Sequence, residues 1–181
     1  MQIKETNLKD CFIFEPSIFG DERGYFFESY NKNKFESLIN KPVDFIQDNE
    51  AFSKKGALRG LHFQEGEFAQ AKLVRVTQGA VIDVAVDLRP TSNTFLKHIA
   101  VELSAENKKQ LFVPRGFAHG YIVISETAVF NYKCDNVYNK SSENGLIYND
   151  RDLNIDWKLS PSLFIISEKD KILPTLKELF K

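Results

Sequence analysis

Lys72-Leu73-Val74-Arg75-Val76-Thr77, then Gln78-Gly79, then Ala80-Val81-Ile82-Asp83-Val84-Ala85-Val86-Asp87-Leu88: the reading of this stretch decides the fold. Both runs are rich in β-branched residues, and the second alternates apolar and polar positions with a period of two, the pattern of strands. Gln78-Gly79 has the composition of a two-residue turn, so the strands are predicted to form a hairpin. In the second strand Ile82, Val84, Val86 and Leu88 share one face, and Asp83, Ala85 and Asp87 share the other. Two aspartates on one face fit solvent, or the polar lumen of a small barrel. Alternation leaves both readings open.

Upstream of this stretch, Phe12-Ile13-Phe14 reads as a strand ended by Pro16. Residues 19–24 read as a loop and 25–30 as another strand. Residues 31–39 form a short helix capped by Asn31, with Phe35, Leu38 and Ile39 on one face. Residues 45–49 form a strand with Phe45, Gln47 and Asn49 on one side. Downstream, 98–103 is a strand with His98 at its start on the surface, followed by a helical turn at 104–107. Runs at 111–113, 121–125 and 128–134 continue the series. Residues 139–156 are loop-rich, anchored by Ile147, Ile155 and Trp157. A short strand or buried run at 163–166 precedes a last short helix from Pro174 to Phe180. Many short strands separated by turn signals predict an all-β sandwich or barrel with a few short helices. With 181 residues and no linker, the chain reads as one domain spanning 1–181.

Composition excludes several classes. The net charge is -1, from 24 basic and 25 acidic residues, which leaves no electrostatic footprint for nucleic acid. No apolar run approaches the roughly 20 residues of a membrane span. Met1 to Thr6 carry no apolar core, so no secretory signal is expected. Cys11 and Cys134 stand in no metal or redox spacing and read as free thiols in a reducing cytoplasm.

Only three histidines are present, and His62 lies within Arg59-Gly60-Leu61-His62-Phe63-Gln64. In a regular strand Gly60, His62 and Gln64 face one way, Leu61 and Phe63 the other. A histidine facing a cavity beside a glycine-made space is a candidate general base; a buried histidine satisfied by a neighbour has the same sequence signature. Metal is poorly supplied. His62 and, late in the chain, Pro114-Arg115-Gly116-Phe117-Ala118-His119 resemble the two motifs of the cupin barrel. Metal-binding cupins carry His-x-His and a following Glu. Here Gln64 stands at the second histidine, and Phe68 and Ala69 stand where that Glu is expected.

Without a metal, the available groups point to acid–base chemistry at carbon. Lys72 shares a face with Val74 and Val76, so its ammonium can enter the same cavity and steady an enolate oxygen. Tyr132 can return a proton, and Asp170 can orient His62. Each also has an ordinary reading: a solvated strand end, a half-buried strand residue, a cap before the last helix. Arg23, Arg59 and Lys169 offer cations for a phosphate-bearing substrate, which must be held by side chains because no Gly-rich phosphate loop is present.

The motifs Arg23-Gly24-Tyr25-Phe26-Phe27-Glu28, Gln47-Asp48-Asn49, Leu58 to Gln64, Lys72-Leu73-Val74, Asp83 to Arg89, Pro114 to Gly120, Tyr132-Lys133 and Ser167 to Asp170 together resemble the dTDP-4-dehydrorhamnose 3,5-epimerase family. The resemblance runs over nearly the whole chain, in order. It implies a cupin-type jelly-roll barrel that works without metal or cofactor, usually as a homodimer. It also implies a dTDP-linked 4-keto-6-deoxyglucose as substrate, on the route to dTDP-L-rhamnose. By matching position His62 is the base, Asp170 its partner, Tyr132 the acid and Lys72 the group at the C4 oxygen, with His119 nearby. Arg59 holds diphosphate. Arg23, Glu28, Gln47 and Asn49 bind the nucleotide end, in part across the dimer from an exchanged N-terminal segment. Glu143 and Lys169 match further binding positions.

Strand parity adds two expectations. Arg59 and His62 fall on opposite faces of a regular strand, so Arg59 is expected at a loop end or bulge. Arg23 and Glu28 also differ in parity and should not share one contact. Asp83, by its strand face, is expected to pair with His119. The rival readings are an epimerase that inverts one centre only, a relative that uses a CDP-sugar, a non-catalytic sugar-nucleotide-binding cupin, and a metal-dependent cupin oxygenase.

Overall fold

The computed structural model describes residues 1–181. In chain order the strands are β1 (Gln2–Glu5), β2 (Phe12–Glu15), β3 (Phe19–Asp21), β4 (Gly24–Phe26), β5 (Gln47–Lys54), β6 (Ala57–Gln64) and β7 (Lys72–Gln78). They continue with β8 (Ala80–Asp87), β9 (His98–Ser104), β10 (Gln110–Val113), β11 (Phe117–Val123), β12 (Thr127–Cys134), β13 (Glu143–Gly145) and β14 (Ile165–Ile166). Three short helices are α1 (Lys32–Ile39), α2 (Glu168–Lys171) and α3 (Leu176–Leu179). Asn31 caps α1 as its sequence predicts, its side chain accepting from the Lys34 N–H. Residues 19–24, read as a loop, instead pair as the β3–β4 hairpin, and the strand predicted over 25–30 stops at Phe26.

The first sheet has the order β1-β2-β10-β7-β12-β5. The second has the order β13-β6-β11-β8-β9, with β14 added in parallel to the other half of the β6 edge. The chain crosses between the two sheets at β5–β6, β6–β7, β7–β8, β9–β10, β10–β11, β11–β12 and β12–β13, which makes a cupin-type jelly roll. The hairpin expected at Gln78-Gly79 is therefore absent. Both edges of β7 are taken by β10 and β12, and both edges of β8 by β11 and β9. Gly79 is a corner, with φ +73°, and a Cβ there would lie 1.9 Å from the Thr127 carbonyl oxygen. Local composition marks the turn, but the partner of each strand is decided by residues far away in sequence.

Burial settles the question raised by the two aspartates. Residues 81–88 are buried throughout. One face, with Val81 and Ala85, joins the core between the sheets, where Val74, Leu111 and Phe130 meet it. The other face, with Ile82, Val84 and Val86, is covered by Leu146, Leu153, Trp157 and Leu176 of the C-terminal segment. Asp83 and Asp87 thus face the interior. Asp87 accepts from Arg89, Ser92 and Thr94, which ties down the loop leading to β9. A third cluster seats Phe35 and Ile39 of α1 on Leu73 and Phe112, outside the first sheet. His98, read as surface, is half-buried beside β8.

Candidate active site

The site begins with an irregularity in β6. His119 pairs with His62, and Tyr121 pairs with Arg59. Two steps along β11 therefore match three along β6, leaving one extra residue on β6. Gly60 makes this possible: its φ is +110°, and a Cβ would lie 2.7 Å from the His119 carbonyl oxygen. The extra residue reverses strand parity. Arg59 and His62 both line one cavity of about 530 Å³, as the bulge expectation required.

Asp170 is delivered to His62 from 108 positions away. Ile165 and Ile166 pair in parallel with Ala57 and Leu58, which lays Ser167 and α2 across β6. The Asp170 carboxylate then meets His62 Nε2 at 2.7 Å, and its other oxygen accepts from the Gly60 N–H at 3.3 Å. Asp170 is buried while His62 keeps a face open to the cavity. A second pair lies deeper. His119 Nε2 meets Asp83 at 2.9 Å, both side chains being buried. Burial pushes the Asp83 carboxyl up, against the pull of His119.

The first sheet faces these residues. Lys72 from β7 and Tyr132 from β12 line the same cavity as His62 from β6 and His119 from β11. Acid and base candidates thus project from opposite walls. Burial pulls the Lys72 ammonium below the usual lysine range, opposed by Cys134, Asp83 and Glu143. Burial raises the Tyr132 phenol, which keeps it a proton donor.

An adjoining recess of about 200 Å³ shares His62, Lys72 and Tyr132 and adds Gln47, Asn49 and Glu143. Gln47 Nε2 donates to Asn49 Oδ1 at 2.9 Å, so the two amides are already aligned. Glu143 accepts from the Lys169 ammonium at 2.6 Å. Against partial burial, Lys169 and the Tyr138 hydroxyl hold Glu143 below the usual carboxylate range. Gln64, at the second-histidine position of metal-binding cupins, uses its amide on the backbone of Phe68, Val137 and Asn139. No group of three or more His, Cys, Asp or Glu side chains converges as metal ligands would.

Two predicted residues stand elsewhere. Arg23 sits exposed at the β3–β4 turn, paired with Asp21, and Glu28 pairs with Lys34 at 2.8 Å. Neither lines the cavity of its own chain, and they do not share a contact. Tyr121, Ser53 and Ser167 were not singled out from the sequence. Tyr121 was within reach of it, since it lies two residues from His119 on the same face of β11.

A family model described as dTDP-4-dehydrorhamnose 3,5-epimerase matches residues 5–178. The chain is 51% identical to a dTDP-4-dehydrorhamnose 3,5-epimerase of Escherichia coli (strain K12), over 100% of this chain and 97% of that protein. The fold superposes with a TM-score of 0.96 on dTDP-4-dehydrorhamnose 3,5-epimerase from Elizabethkingia anophelis NUHP1, at 58% identity, covering 98% of this chain and 97% of that one. It is also similar to dTDP-6-deoxy-D-glucose-3,5-epimerase from Legionella pneumophila, solved in complex with dTDP-4-keto-L-rhamnose. There the TM-score is 0.93 at 44% identity, covering 99% of this chain and 94% of that one.

Proposed function

The chain belongs to the dTDP-4-dehydrorhamnose 3,5-epimerase family, and we propose that His62, Asp170, Tyr132 and Lys72 carry its reaction. The protein epimerises dTDP-4-dehydro-6-deoxy-D-glucose at C3 and C5 to dTDP-4-dehydro-L-rhamnose, in dTDP-L-rhamnose biosynthesis. The observation that carries the residue assignment is the His62–Asp170 pair on one wall of a cavity whose other wall bears Tyr132 and Lys72.

The C4 ketone acidifies the hydrogens on C3 and C5. With Nε2–H donated to Asp170, the Nδ1 lone pair of His62 is left to take a proton from carbon. Asp170 favours the imidazolium that results. Negative charge then develops on the C4 oxygen, where the Lys72 ammonium stabilises it. Tyr132 returns a proton from the opposite face, which inverts the centre. His119, held by Asp83, lies in the same cavity as a further polar contact for the sugar. Arg59 takes the diphosphate, and Gln47, Asn49, Glu143 and Lys169 hold the rest of the nucleotide sugar.

Residues 1–181 act as one catalytic domain, working as a homodimer. The β3–β4 hairpin holds Phe19, Tyr25 and Phe26 at 65%, 60% and 69% exposure, more apolar surface than an isolated hairpin keeps in water. Exchange of this segment covers those rings and carries Arg23 and Glu28 to the partner's nucleotide. Free Cys11 and Cys134 suit a reducing cytoplasm, and no helix is long and apolar enough to cross a membrane.

The test is turnover by wild type and His62→Ala. Loss of turnover with dTDP binding retained supports the base assignment; retained turnover removes it.

A further inference from the structure

Tyr121 carries the one buried side-chain polar atom without a hydrogen-bond partner, its hydroxyl oxygen. The residue is only 5% exposed, yet it lines the main cavity. Its ring is stacked on Phe130 at 4.1 Å and 14°, so the hydroxyl cannot easily swing away. Ser53 and Arg59 are its polar neighbours, but neither makes a well-formed hydrogen bond with it. Arg59 donates from Nε to Ser53 Oγ at 3.1 Å. It enters no ion pair, which leaves its two terminal nitrogens for something else. Of the cavity's other cations, Lys169 is neutralised by Glu143, and Lys72 lies beside the histidine pairs.

A buried hydroxyl left unpaired is costly, and native structures rarely keep one without a reason. Here the orphan stands beside an uncompensated guanidinium, on a cavity wall. An acceptor-only anion meets both needs, since phenol and guanidinium are both donors. We propose that the Tyr121 hydroxyl is a substrate-binding group that, with Arg59, hydrogen-bonds the phosphate joined to the sugar. Ser53 orients the guanidinium for this from behind. Burial raises the Tyr121 phenol, with Ser53 and Arg59 opposing, so it remains a neutral donor. The inference rests on the reading of the substrate as a dTDP-linked sugar and adds a phosphate contact to it.

The test is Tyr121→Phe, measured by calorimetric titration with dTDP and by steady-state kinetics alongside wild type. The Kd for dTDP and KM both rise roughly tenfold, as expected for loss of a hydrogen bond to a charged acceptor, while kcat is unchanged. The pH profile of kcat stays where it was. Tm holds or rises, because no hydrogen bond of the free protein is lost. Wild-type affinity for dTDP in the variant would overturn the inference. So would a fall in kcat with a displaced pH profile and unchanged dTDP affinity, since the hydroxyl would then serve Tyr132. A wild-type protein without turnover would instead sink the functional reading, and the dTDP titrations would still decide the role of Tyr121.

Discussion

Arg59 and His62 lie three residues apart on β6 and face one cavity, because the opposing strand advances only two residues, from Tyr121 to His119. A regular strand would turn Arg59, the proposed phosphate ligand, away from His62, the proposed base. In the proposed assignment the bulge brings together the groups for the two ends of the substrate, its charged handle and its reacting ring.

Gly60→Ala tests that device. The added methyl would meet the His119 carbonyl at 2.7 Å on a backbone with φ +110°, so the bulge must shift. We expect kcat/KM to fall roughly a hundredfold, as displacements near 1 Å do to a catalytic geometry, with a lowered Tm. Wild-type kcat/KM in this variant would show that the bulge does not set the site.

In the proposed mechanism Lys72 sets the alkaline limit. Its ammonium must be charged to steady the enolate, and burial lowers its pKa below the ordinary 10.5. Activity is present below that lowered value and is lost as pH rises through it. Tyr132 is raised above 10.0 by burial and stays protonated over the same range. The basic limb of kcat should therefore fall below pH 10.5 and move upward in Lys72→Arg, whose side chain remains charged. The variant also loses roughly 10- to 1000-fold in kcat, because the fork cannot take the place of the ammonium. An unmoved limb would assign it to another group.

Asp87 links stability to acid. Desolvation pushes its carboxyl up, but Arg89, Ser92 and Thr94 outweigh this and bring it from 3.8 to about 2. The stabilisation is complete above 3.8 and disappears as pH falls through about 2. It amounts to about 2 kcal/mol. Denaturant unfolding at pH 6 and pH 2 should show wild type losing that much more than Asp87→Asn. Equal losses would mean the network does not act through the charge.

The alternation of Ile82, Val84 and Val86 with Asp83 and Asp87 was legible, and it correctly divided the two faces of β8. It could not say that both faces are buried, because the cover on one of them comes from Leu146, Leu153 and Trp157, in or anchoring a stretch that reads as loop-rich, and from Leu176 of the last short helix. Gln78-Gly79 looked like a hairpin because turn chemistry is local, whereas the partners of β7 and β8 are set by contacts across the whole chain. The chemistry-bearing residues His62, Lys72, Tyr132 and Asp170 could be picked out by type and by family resemblance. The facing of the two sheets brings Lys72 and Tyr132 to His62, and Asp170 joins them through the parallel pairing of Ile165 and Ile166 with β6, which a two-residue strand does not announce. Tyr121 shares a strand face with His119, but a tyrosine on a buried strand usually belongs to the core, and its missing hydrogen bond is what marks it as more.

The most direct test of the central claim is turnover of dTDP-4-dehydro-6-deoxy-D-glucose in deuterium oxide, read by NMR at C3 and C5. Two-step enolate chemistry at a His62/Tyr132 site predicts deuterium at both carbons, with both centres inverted. Deuterium at one carbon alone would contradict the double epimerisation. Exchange at neither, from folded protein that binds dTDP, would contradict the proton-transfer chemistry itself.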